Sequence, residues 1–296
     1  MDSTTYHNLT SYSRYDMTPH HLDWEHLPLL QKAYGKHPTT RLKPPEALPD
    51  ASFTEVLEGR MAGDSLRPSI DLQDLSAILT LANGITAQRR YGSQTQHYRS
   101  APSAGALYPN ETYVAVECVA GLAPGIYNHQ VMDASLIALR KGSCIHQVQQ
   151  ALATETSGFP AVSLQITGIF FRSAWKYRDR AFRYVLLDGG HLIENLVLAA
   201  SAYGYAYSVH YDFDDEAMQR LLGIDSTREA CLAVVNFYTR EGESHRAAKG
   251  AHVDAPVLSE TLAVASRTSA AEVKYEAIQQ VCDAGNTIKT GGVGAM

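Results

Sequence analysis

Apolar residues recur along IDLQDLSAILTLANGI (70–85) at Leu72, Leu75, Ile78, Leu79 and Ala82. That spacing puts them on one face of a helix, and Gly84 closes it. The period then changes. TYVAVECV (112–119), GIYNH (125–129) and SLIALRKG (135–142) predict three short strands, with a turn around GLAPG, and together they read as a meander. SLQITGIFF (163–171) and ACLAVVNFYT (230–239) predict two more buried strands. The longest element is predicted over 177–204, apolar at Ala181, Tyr184, Val185, Leu187, Leu192, Leu196, Ala199 and Ala200. Gly189-Gly190 falls in its middle, where each glycine costs about 1 kcal/mol relative to alanine. The pair marks either a kink or the close approach of another backbone or a planar ligand. DFDDEAMQRLLGI predicts a short helix capped by Asp212 or Asp214, and KYEAIQQVCDAG predicts another helix near the end.

Strands separated by helices, with a meander inside, predict an α+β fold in which helices wrap a sheet. Residues 1–50, polar and broken by KPPEALPD, read as an N-terminal arm pinned by Trp24, Leu27, Leu29 and Leu30. Residues 51–241 read as the folded domain. Residues 242–296, rich in Ala, Ser, Thr and Gly, read as a tail or extension that is partly flexible.

Composition narrows the function. The net charge of −6 argues against a general nucleic-acid binder, and 45% hydrophobic with 19% charged residues is ordinary for a globular protein. Cys118, Cys144, Cys231 and Cys282 are scattered without metal spacing and read as reduced thiols. No apolar run reaches spanning length and the first residues lack a signal core, so a cytoplasmic protein without a membrane partner is expected. The 12 histidines show no H-E-x-x-H, Ser103 lacks the first glycine of a nucleophile elbow, and GGVGAM has neither strand nor helix around it. Metal-dependent and serine hydrolysis are thereby disfavoured, and no metal ligand is assigned.

Two stretches carry candidate chemistry. RSAPSAGALYPN (99–110) concentrates small residues ahead of a strand, as either an ordinary loop or a surface that lets a flat ligand approach the backbone. Arg172, Lys176, Arg178, Arg180 and Arg183 cluster where a strand gives way to the long helix. Such a cluster is either a solvated face, with Asp179 pairing Arg183, or the rim of a cleft. Lys176 beside Tyr177 offers two groups whose ionisation burial can tune.

Three motifs in order, R-x-x-P-S-x-G-A-L-Y-P-x-E-x-Y (Arg99 to Tyr113), G-I-Y-N-H (Gly125 to His129) and K-Y-R-x-R-x-F-R-Y-x-L-L-D-G-G-H-L-x-x-N (Lys176 to Asn195), resemble the SagB-type branch of the nitroreductase family. YHNLTSYSR and HLDWEHLPLLQKAYG resemble the segment that precedes many such domains. The resemblance covers about residues 6–240. It implies a nitroreductase-like fold with a largely antiparallel central sheet and a long central helix, homodimeric, with one FMN at each of two interface sites. Pro102, Ser103, Ala104 and Ala106 match the loop along the isoalloxazine ring, and Arg99 opens that motif. Arg60 matches a phosphate ligand, although Ala62 and Asp64 replace the usual serine and basic residue. Arg246 and Lys249 fall where late basic phosphate ligands lie, and Asp212 where a backbone contact meets flavin N5. Lys176 and Tyr177 match the pair that assists azoline oxidation, with the neighbouring positive charge expected to lower the tyrosine pKa.

The resemblance implies an FMN-dependent dehydrogenase acting on a peptide-derived azoline or a similar small molecule, with O₂ reoxidising the flavin. Two alternatives stay open: an NAD(P)H-dependent nitro or quinone reductase, and a flavin-poor, non-catalytic partner of a peptide-modifying complex. Further peptide-modifying subunits are therefore candidate partners.

Overall fold

A computed structural model describes residues 1–13, 15, 20–58, 66–92, 94–154, 156, 158–248 and 260–286. In chain order these form α1 (Ser3–Leu9), β1 (Thr39–Arg41), α2 (Phe53–Leu57), α3 (Leu72–Asn83), β2 (Ile85–Tyr91), β3 (Gln94–Arg99), β4 (Asn110–Val116), β5 (Gly125–Gln130) and β6 (Ser135–Lys141). They continue through α4 (Ile145–Ala151), β7 (Pro160–Ile169), α5 (Phe170–Tyr177), α6 (Ala181–Ala202), β8 (Ala206–His210), α7 (Asp215–Leu222), β9 (Glu229–Tyr238), α8 (Arg240–Ala248), α9 (Glu260–Ala263) and α10 (Glu276–Gly285).

The meander forms as its spacing predicts. β4, β5 and β6 pair antiparallel in sequence, and the sheet extends on both sides in the order β1-β6-β5-β4-β7-β9-β8. Every pairing in it is antiparallel. β4 lies at the centre, with Tyr113 opposite Asn128 on one side and Gln165 on the other. Alternation along β4 feeds two cores. Val114 and Val116 join Leu75, Ile78, Leu192 and Leu196 of α3 and α6. Tyr113 and Ala115 join Ile145, Val148, Met218 and Leu221 of α4 and α7. Helices on both faces explain why every residue of β4 is buried. β2 and β3 form a separate hairpin.

The long helix differs from its expected form. Phe170-Phe171, expected to end a strand, make the first turn of α5, and Tyr177 ends that helix. Arg178 then adopts φ 50° and ψ −137°, outside the helical region, and α6 begins only at Ala181. Apolar periodicity runs on through the break, so the sequence pattern does not reveal it. Gly189 makes no kink either. α6 continues through it, and a Cβ there would stand 3.1 Å from Asn110 Nδ2 of β4, while Gly190 faces open space. The helical run Phe170–Ala202 is long and apolar enough to cross a bilayer, yet more than half of its most apolar window is buried within the protein.

Segments on both sides of the domain, around Lys32 and Ser266, reach the core. Of the apolar pins expected of the arm, Trp24, Leu27 and Leu29 are exposed and Leu30 is half-buried, while Tyr6, Tyr34 and Leu42 reach the cores instead. Polar contacts hold the arm as well. The buried Lys32 Nζ donates to Glu229 Oε2 and Tyr113 Oη, each at 2.6 Å, and to Ser266 Oγ at 3.2 Å. Ser266 donates to the same Glu229 carboxylate at 2.6 Å, and Thr167 Oγ1 does so at 2.6 Å. Residues near position 30, the sheet centre and the segment after α9 thus share one buried charge pair. Residues of the arm and of the segment after α9 both contact the sheet through it.

Candidate functional site

Between β3 and β4 the small-residue loop turns back sharply. Gly105, Ala106 and Tyr108 all take positive φ (66°, 54° and 46°), a conformation that only glycine adopts freely. What stabilises the other two comes from α6. Ser103 Oγ donates to Asp188 Oδ2 at 2.6 Å, and the Ala104 N–H donates to the same carboxylate at 3.2 Å. Ser103 Oγ also accepts from the Tyr108 N–H at 2.8 Å, closing the loop on itself. Burial raises the Asp188 pKa, and the bonds from Ser103 and Ala104 oppose it without cancelling it.

Lys176 and Tyr177 meet this loop from α5. A Cβ placed on Gly105 would lie 2.9 Å from Tyr177 Oη and 3.0 Å from Lys176 Nζ. Both polar heads therefore converge within 3.0 Å of one point above a residue that carries no side chain. Lys176 Nζ also lies 5.4 Å from the Tyr177 ring centroid, and the Tyr184 ring packs 4.3 Å from that ring. The expected lowering of the tyrosine pKa does not occur. Burial raises the Tyr177 pKa, and Tyr184, Tyr12 and Asp188 add to the rise, so the phenol keeps its proton at neutral pH.

Arg99 sits behind the loop. Its Nη2 donates to Leu30 O at 3.1 Å and its guanidinium stacks 4.5 Å from the Tyr108 ring centroid. Burial and the nearby Arg172 bring its pKa down to about 10, with Glu111 opposing. Arg172 pairs with Glu111 at 2.6 Å. His129 in the next strand is driven down to about 3 by burial and by Arg99, so it is neutral. A shallow cleft lined by Asn83, Arg99, Pro102, Ser103, Tyr108 and Asp188 opens between loop and helix.

The structure thus brings Lys176, Tyr177, Ser103 and Ala104 to one place, with Ala106 and Pro102 in the same loop. Ser103 and the Ala104 N–H turn to Asp188, which the sequence did not single out. Its position one residue before the paired glycines was the available signal. Asp212 lies exposed before α7, its carbonyl accepting from the Ala153 N–H at 3.1 Å, and Asp214 rather than Asp212 caps that helix. Arg183 bonds to the arm through Thr10 Oγ1 at 2.8 Å instead of pairing with Asp179. Arg60, Ala62, Asp64 and Lys249 lie outside the described residues. Arg246 lies in α8, and its side chain is outside them too. A cavity of about 430 Å³ lies between Phe170, Phe171 and Ala174 of α5 and residues 272–279. It reaches neither the loop nor Lys176, and its Arg228 and Glu272 are paired with each other at 2.8 Å.

An antiparallel sheet thus carries a long helix against its centre, and a lysine–tyrosine pair stands over a small-residue loop. The nitroreductase family pattern matches residues 66–237, more than half of the chain, and the chain belongs to that family. A Methanocaldococcus jannaschii protein assigned to the nitroreductases is 33% identical over 56% of this chain and 81% of its own length. The trifolitoxin-processing protein of Rhizobium leguminosarum is 28% identical over 60% of this chain and 48% of its own. The microcin B17-processing protein of Escherichia coli is 27% identical over 47% and 53%. The chain thus matches about half the length of each processing protein, and these likenesses support the SagB-type branch. An Anabaena variabilis crystal structure assigned to the nitroreductases superposes with a TM-score of 0.64 at 30% identity, over 79% of this chain and 45% of that one.

Proposed function

We propose that this protein is an FMN-dependent dehydrogenase that oxidises an azoline, or a similar ring, in a peptide. The convergence of Lys176 Nζ and Tyr177 Oη over Gly105 carries the reading. The loop suits a flat ring. Ala101, Ala104, Gly105 and Ala106 carry no side chain beyond Cβ, and Ser100 Oγ is buried without a hydrogen-bond partner among the described residues. FMN, when bound, supplies the hydride acceptor, with O₂ as the terminal oxidant. Arg60, Arg246 and Lys249 are the proposed phosphate ligands, Pro102, Ser103, Ala104 and Ala106 the ring-facing loop, Arg99 its polar support and Asp212 a backbone contact.

The chain's own residues supply position and proton transfer. Tyr177, kept protonated, donates a hydrogen bond to the substrate ring, and Lys176, acting as the neutral amine, receives the proton lost from the ring carbon. A homodimer is part of the reading. Leu186, Leu187 and Gly190 form an exposed strip on α6 with no partner among the described residues, the face a second copy would cover. A peptide substrate, further peptide-modifying subunits and a cytoplasmic setting complete it.

The visible spectrum of the purified protein and the identity of any released chromophore test the cofactor. Lys176→Ala and Tyr177→Phe are then assayed against an azoline peptide. Loss of azole formation of at least a hundredfold in Lys176→Ala supports the reading. Flavin reduction by NAD(P)H that survives both changes points instead to a small-molecule reductase, as does the likeness to the Methanocaldococcus protein. A protein that stays colourless after incubation with FMN overturns both.

A further inference from the structure

We infer that the N-terminal arm is part of this site, and that His20 and Trp24 are positioning residues for Lys176 and Tyr177. The inference rests on the catalytic reading of that pair. Helix α5 is short, and the carbonyls of its last turn need partners from outside the helix. The Arg178 N–H caps only the Ala174 carbonyl before its unusual backbone turns the chain away. The Lys176 carbonyl is taken by His20 Nε2 at 2.8 Å. A carbonyl can only accept, so Nε2 carries the proton in this contact.

The neighbouring residues are held the same way. Trp175 Nε1 donates to Asp23 O at 2.7 Å, and the Trp175 ring packs edge-on against Trp24 at 5.1 Å. Arg172 Nε donates to Leu29 O at 2.8 Å. Leu22 packs with Leu107, Phe171, Trp175 and Tyr177. On the other side of the pair, an earlier stretch of the arm takes over. Tyr6 Oη donates to Asp179 O, Arg180 Nη1 donates to Thr10 O, and the Arg180 guanidinium stacks 4.0 Å from the Tyr12 ring centroid. Arg180 Nε donates to Tyr184 Oη at 3.1 Å, and Tyr184 packs on Tyr177.

Two separate stretches of the arm thus grip the backbone before and after Lys176-Tyr177. None of these contacts reaches Lys176 Nζ or Tyr177 Oη, so the arm acts through placement. Long side chains lose rotamer freedom when fixed, and a misplaced acid–base group forfeits much of its effect. A fixed backbone at both flanks limits the ways the two heads can miss Gly105.

The test compares His20→Ala, His20→Gln and Trp24→Ala with the wild type, and uses Ile145→Ala in the opposite core as a destabilised control. Amide hydrogen exchange at residues 177–179 is measured alongside steady-state oxidation of an azoline peptide. The expected result is quickened exchange and a kcat about tenfold lower in His20→Ala and Trp24→Ala, with KM within about twofold. His20→Gln, which keeps a side-chain N–H donor, restores most of kcat. Ile145→Ala lowers the melting temperature and leaves both readouts at wild-type values below it.

Unchanged exchange and kcat in His20→Ala and Trp24→Ala overturn the inference. So does quickened exchange with unchanged kcat in an active protein. A wild type that turns over no azoline, with exchange still quickened in His20→Ala, overturns the catalytic reading and leaves the arm's hold on Lys176 standing.

Discussion

Asp188 of the central helix receives the Ser103 hydroxyl at 2.6 Å and the Ala104 N–H at 3.2 Å, so the small-residue loop takes its shape from α6 rather than from its own side chains. The carboxylate is buried and its pKa is raised. In the folded state it binds a proton more readily than in the unfolded chain, so its contribution to stability is greatest in acid. That contribution falls as pH rises above about 3.8 through the raised folded value. Asp188→Asn removes this titration. Wild-type stability therefore falls relative to the variant's with rising pH across that window, read by denaturant unfolding at several pH values.

Gly105→Ala separates loop shape from loop anchoring. The new methyl would meet Tyr177 Oη and Lys176 Nζ at about 3 Å on a backbone of φ 66°. The expected cost is about 1 kcal/mol of stability. The two flexible heads move aside, so on the proposed function azoline turnover falls about tenfold while the circular dichroism spectrum keeps its wild-type form.

The buried pair of Lys32 and Glu229 gives a stability prediction without reference to activity. Burial pushes the Glu229 pKa up, but the Lys32 charge and the hydrogen bonds from Lys32, Ser266 and Thr167 together bring it below its ordinary value. Its stabilisation is therefore present above about 4.5 and is lost as pH falls through the lowered folded value. Lys32→Met leaves a buried carboxylate without its cation and costs about 3–5 kcal/mol. Lys32→Met with Glu229→Gln costs less than the single change, as equilibrium unfolding in urea shows.

His129 titrates in the opposite sense to Asp188. Its pKa falls from 6.5 to about 3 on folding, so the unfolded chain binds the extra proton between those values. Stability from keeping it neutral is complete above pH 6.5 and declines as pH falls towards 3. His129→Gln flattens that part of the stability profile.

Leu187→Glu tests the exposed strip of α6. Leu187 is 61% exposed in the single chain, so the substitution leaves the monomer fold intact. If a second copy covers this face, light scattering shows half the wild-type mass, because a buried unpaired carboxylate disfavours association.

Much of this fold was legible from period alone. The meander, α3 with its closing Gly84 and the strand β9 announce themselves through local spacing and turn chemistry, and the cap of α7 is narrowed to Asp212 or Asp214. The break at Arg178 did not, because apolar spacing continues across it and a left-handed arginine has no compositional mark. Lys176 and Tyr177 were legible as a pair beside each other in the chain. Gly105 as their meeting point was not, since 70 residues separate them and only the sheet brings them together. The roles of Lys32 and His20 were hidden for the same reason. Each is a polar residue in a polar arm, and nothing local distinguishes a buried cation from a solvated one.

The charge pair of Lys32 and Glu229 has a consequence for biosynthesis. Lys32 leaves the ribosome nearly 200 residues before Glu229 and more than 230 before Ser266. Until those residues emerge, its ammonium stays in water, because burial without the carboxylate is strongly unfavourable. The stretch around Lys32 can therefore dock only after most of the sheet has been translated. A segment made early is among the last to be fixed, and a nascent chain halted before Glu229 would still hold its Lys32 in water.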